Sequence, residues 1–134
     1  MRRALARLVA AVLGAFAAQP AHAHLVESGF GAFYDGVAHV ALTPSDLLMV
    51  LALALLAGQH GARTARWALL LLPLAWIVGG AVGAGWPSDV TLPVATTLTF
   101  GVAGALVALN PSLPVSAVSI YAIAAGLLHG YING

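Results

Sequence analysis

From Leu47 to Gly134 the only charged side chains are Arg63, Arg66 and Asp89. Soluble domains carry about 25% charged residues, whereas this chain carries 7%, with 61% hydrophobic. A stretch so poor in charge reads as helical bilayer spans joined by short turns, and proline and glycine positions divide it into about four. The expected spans are about 44–59, 67–86, 94–108 and 115–131. The second runs from Trp67 to Trp86, 20 residues flanked by an interfacial tryptophan at each end. At about 1.5 Å per residue it matches a hydrocarbon core of roughly 30 Å.

Residues 1–23 read as a secretory signal peptide. Arg2, Arg3 and Arg7 form the basic region, residues 8–18 the apolar region and Ala21-His22-Ala23 the cleavage site. Eleven apolar residues fall short of the ~20 that a span needs. The mature domain is then 24–134, with His24 at an exported N-terminus. Arg63 and Arg66 are the basic residues that remain, and the positive-inside rule puts their turn in the cytoplasm, in agreement with that export. The setting is a bacterial-type inner membrane, with the mature N-terminus on the external, periplasmic side. Residues 25–43 are too short and glycine-rich to span and read as an interfacial or re-entrant segment. The expected fold is therefore an all-α membrane protein of about four transmembrane helices plus that segment, after a cleaved leader.

Composition also excludes functions. The absence of cysteine removes disulfides, thiolate metal sites and cysteine nucleophiles. A formal charge of +1 gives no basic patch for nucleic acid. No G-x-S-x-G or H-E-x-x-H setting is present, so no enzyme is expected. The partners in view are the lipid bilayer and a divalent cation; a second copy of the chain or a metalloenzyme-maturation component is a further candidate.

The topology gathers Glu27, Asp35, His39, Asp46, Asp89, His129 and Asn133 at the outer side, away from Arg63 and Arg66. Such a mouth attracts cations. Asp35 and His39 are four apart, so on a helix they share a face. They read either as two ligands or as an aspartate orienting a histidine. Asp46 has two readings as well. Thr43-Pro44-Ser45-Asp46 has the pattern of an N-cap, a proline at N1 and an acid at N3, while a carboxylate so near a span calls for a partner. His129 and Asn133, also four apart, end an apolar run in which a histidine needs either a ligand or an interhelical hydrogen bond. His60 reads as a solvated turn residue, and Gly79, Gly80, Gly83, Gly101 and Gly104 as close packing of the second and third spans.

The Ala-His-Ala-His junction, Gly36-Val37-Ala38-His39, the leucine-rich span after Asp46 and Gly126-Leu127-Leu128-His129-Gly130 together resemble the HupE/UreJ family of hydrogenase and urease accessory membrane proteins. That family's first marker is a histidine, five residues, then Asp-His; here His39 leads, and Ser45-Asp46 follow. Its second is Phe-His-Gly, two residues, His-Gly, one residue, Glu; here Leu128-His129-Gly130 leads and Asn133 stands at the second histidine. The pattern continues beyond Gly134, so the chain reads as a divergent, C-terminally shortened member. The resemblance implies a nickel or cobalt permease supplying metalloenzyme assembly, with the ion as cargo and no resident cofactor. Its metal site would comprise His39, Asp46 and His129, with Asp35 and Asn133 as further candidates. The alternative is a non-transporting accessory protein that binds a partner through its glycine-rich helices.

Overall fold

The computed structural model describes residue 30 and residues 32–85 and 93–134. The expected leader, His24, Glu27, Trp86 and Asp89 lie outside the described residues. Five helices and no strand occur among the described residues: α1 (Ala32–Leu42), α2 (Pro44–Gln59), α3 (Ala62–Gly85), α4 (Pro93–Leu109) and α5 (Val115–Asn133). α3 and α5 are long and apolar enough to cross a membrane, while α2 and α4 are shorter apolar helices of 16 and 17 residues. The segment before α2 forms the short helix α1, which packs on α2.

Local chemistry sets the helix boundaries. Thr43 is extended at φ −92° and Pro44 opens α2, where a missing N–H costs nothing. Gly61, at φ +91°, ends that helix in a conformation that a Cβ would strain. Asn110, at φ 44°, ends α4, and Pro111 prevents its continuation. One boundary differs from the sequence expectation. Residues 59–66 were expected as a polar turn and α3 at Trp67, yet only His60 and Gly61 break the helix. Arg63 and Arg66 lie exposed in the first turns of α3, because arginine is a good helix former and Gly61 has already reversed the chain.

The distribution of side chains inverts that of a water-soluble bundle. Large apolar groups point outward, with Leu69 75% and Ile77 68% exposed, while Asp46, Thr64 and His129 are buried. A solvent of lipid tails accounts for this, since leucine loses nothing there and polar groups gain by facing inward.

α3 and α5 form the most extensive contact, through small residues on both sides. Ala75, Gly79 and Gly83 on α3 face Ala122, Gly126 and Gly130 on α5, all buried. A Cβ on Gly126 would lie 2.7 Å from the Leu72 carbonyl oxygen, and one on Gly79 2.9 Å from the Tyr131 nitrogen. This close backbone approach is the usual source of helix attraction in lipid. The expected close packing is found at Gly79 and Gly83 but not at Gly101 and Gly104. α3 uses its glycines against α5, and Gly101 and Gly104 on α4 have no atom within 4 Å of a Cβ position.

At the end of the bundle that carries Arg63 and Arg66, α2 is tied to the α4–α5 turn. Gln59 Nε2 donates to the Val107 carbonyl at 3.2 Å, and the two ring nitrogens of His60 lie 2.8 Å from the carbonyls of Leu56 and Pro111. His60 is therefore no free turn residue. Both its partners can only accept, so these contacts favour imidazolium, the one form in which both nitrogens donate. The Leu56 carbonyl, then that of Pro111, raises the His60 pKa, and burial opposes this. Arg63 and Arg66 are the charged groups at this end among the described residues, and neither offers an acceptor. A raised folded pKa gives stabilisation that is full below about 6.5 and is lost as pH rises through the folded value. Unfolding midpoints in detergent should therefore fall with rising pH more steeply in wild type than in His60→Ala; equal slopes would refute the clamp.

Candidate metal centre

Asp46 stands on the first turn of α2, His129 and Asn133 on the last turns of α5, and His39 near the end of α1. All four meet at the bundle end opposite Arg63 and Arg66. Asp46 is 2% exposed and His129 is fully buried. The Asp46 carboxylate accepts from both neighbours: Nδ1 of His129 lies 2.6 Å from one oxygen and Nδ2 of Asn133 donates to the other at 2.7 Å. The amide oxygen of Asn133 faces His39 Nε2 at 3.3 Å. A continuous polar chain thus leads from half-buried His39 through exposed Asn133 to the buried pair. Asp35, half-buried, lies one turn before His39 on α1.

The turn has the expected capping layout, with Thr43 at the N-cap, Pro44 opening the helix and Asp46 in its first turn. Thr43 occupies the N-cap position but makes no side-chain capping bond, and both Asp46 oxygens are taken by α5. The acid still sits favourably at the positive end of the α2 dipole.

Three residues that sequence reasoning missed complete the surroundings. Thr99 on α4 places Oγ1 2.7 Å from His129 Nε2 and also 2.7 Å from the Thr96 carbonyl. Tyr121 on α5 donates its hydroxyl to the Thr99 carbonyl. Trp76 on α3 lies against the His129 ring, with centroids 5.4 Å apart and planes tilted 38°. The available signal was the threonine-rich turn at 96, 97 and 99 in an otherwise apolar helix.

Among the described residues no buried side-chain nitrogen or oxygen lacks a partner, and no three His, Asp or Glu side chains converge as a ready-made metal cage. The donor set is two imidazoles, a carboxylate and an amide oxygen. Imidazole suits nickel and cobalt, whereas a cluster for magnesium or calcium would be all oxygen.

An apolar-faced helical bundle with a carboxylate–imidazole pair buried at one end belongs to the class of membrane proteins built around an intramembrane polar site. The HupE / UreJ protein family model matches residues 10–134, and the chain belongs to that family. Membership implies a role in nickel or cobalt uptake for hydrogenase or urease, in a family of transporters and accessory membrane proteins rather than enzymes. Comparison with curated proteins and with solved structures finds no match in either set.

Proposed function

We propose that the protein is a permease-like carrier of a divalent cation, nickel or cobalt, which it takes up at the His39–Asn133–Asp46–His129 cluster on the outer face of the inner membrane. The observation that carries this reading is the convergence of those four side chains from three helices on one polar chain. α2 and α4 serve as the remaining two spans, so both chain ends of the bundle open on the external side. In this reading His129 and Asp46 form the centre, Asn133 supplies the hydrogen bond to Asp46 that orients it, and His39 receives the ion at the rim. Asp35 adds negative charge one turn away. No phosphate-binding loop occurs in the sequence, which favours facilitated or proton-coupled movement.

The accessory-protein alternative has less support. Gly79 and Gly83, through which such a protein would engage a partner, face α5 of the same chain.

Equilibrium dialysis of the detergent-solubilised protein against nickel, with elemental analysis, tests the proposal. Saturable binding is expected in wild type, none in His129→Ala, and a loss of about tenfold or more in His39→Ala, which removes the imidazole that receives the ion at the rim. Unaltered nickel binding in His129→Ala would overturn the assignment.

A further inference from the structure

Resting on the reading of His129 as a metal ligand, the geometry points to Thr99 as the gate on its ligating nitrogen. With Nδ1 of His129 held by Asp46 at 2.6 Å, the ring's lone pair falls to Nε2. A carboxylate that fixes one ring nitrogen leaves the other to bind metal. Nε2 faces the hydroxyl of Thr99 at 2.7 Å, and Trp76 lies along the ring face. The Thr99 hydroxyl is therefore the group placed to occupy the ligating lone pair.

Threonine has one such proton, and two acceptors compete for it at the same 2.7 Å distance, Nε2 of His129 and the Thr96 carbonyl. Donation to Nε2 closes the ligand. Donation to Thr96 leaves two lone pairs facing each other across a short gap, a repulsion that favours donation to Nε2 in the metal-free state. The switch needs only rotation of the hydroxyl, because Tyr121 pins the Thr99 carbonyl and holds this turn of α4 against α5. An entering ion must therefore displace one buried hydrogen bond. Ions with high affinity for imidazole offset that loss, whereas magnesium, which prefers oxygen, does not. Thr99 thus acts as a specificity-determining residue without contributing a charge.

Nickel(II) titration calorimetry of the detergent-solubilised protein separates this role from a structural one. Thr99→Val keeps the shape and removes the proton, so nickel should bind about tenfold tighter, the worth of one buried hydrogen bond lost from the metal-free state. Thr99→Ser restores the hydroxyl and should restore wild-type affinity. A merely structural defect would weaken binding instead. Equal or weaker binding in the valine variant than in the serine variant overturns the gate. If His129→Ala still binds nickel at the wild-type level, the metal-site reading fails and the gate fails with it. Loss in His129→Ala with no gain in Thr99→Val refutes the gate alone.

Discussion

Asp46→Ala is expected to lower the stability of the folded bundle by about 3 kcal/mol, more than most single interhelical contacts in a membrane protein contribute. Two values compete for the estimate. Interhelical hydrogen bonds in lipid average only about 0.6 kcal/mol, because the separated helices find other partners. Leaving a buried donor without its acceptor costs about 1–3 kcal/mol, and more where the lost partner was charged. The second governs here, because Asp46 accepts from His129 and Asn133 at once and His129 is fully buried. The buried His129 donor is orphaned, while the exposed Asn133 amide can turn to other acceptors. The loss of the favourable acid at the α2 N-terminus adds only a few tenths of a kcal/mol. Unfolding of Asp46→Ala, His129→Ala and the double variant should give a cycle in which the double change costs markedly less than the sum. Additive costs would show that the 2.6 Å contact contributes little.

Gly130→Ala should be comparably damaging by a different route. A methyl group at Gly130 would collide with the Trp76 carbonyl and lie 3.0 Å from the Gly80 nitrogen. Both are backbone atoms, so neither can swing aside, and α3 must move away from α5. Overpacking of this kind costs about 1–3 kcal/mol, and a larger residue costs more. The same shift draws Trp76 off the His129 ring, so weaker nickel binding should accompany the lower midpoint. Gly104→Ala provides the contrast: with nothing within 4 Å it should be neutral or gain up to about 1 kcal/mol from helix propensity. Equal midpoints for the two alanine variants would refute the account of the α3–α5 seam.

The helices and the cluster were legible in the sequence for a shared reason: polar residues are rare enough here that each one carries information. Pro44 and Pro114 mark helix starts without ambiguity. His39, Asp46, His129 and Asn133 stand out against apolar neighbours, and the four helices from α2 to α5 bring them to one end of the bundle. Other features were hidden. A threonine in an apolar helix normally bonds to its own backbone, and Thr99 does lie within reach of the Thr96 carbonyl, so its contact with His129 depends on which helix lies alongside. The choice of α5 over α4 as the partner of α3 rests on matching the spacing of Ala75, Gly79 and Gly83 to that of Ala122, Gly126 and Gly130, a comparison between two segments rather than a property of one. His60 resembled a solvated residue because its partner carbonyl at Pro111 is remote in sequence. Arg63 and Arg66 suggested a loop, because basic residues mark a turn and the first turn of a helix equally well.

Asp46, Met49, Leu53 and Leu56 fall on one face of α2, and all four are buried. An ion released inward from the carboxylate along that face therefore meets a thioether and two isobutyl groups, which offer no replacement for lost hydration. In this state that face is a dielectric barrier below the Asp46–His129 pair. In the proposed carrier, inward release from Asp46 would therefore require α2 to part from its neighbours.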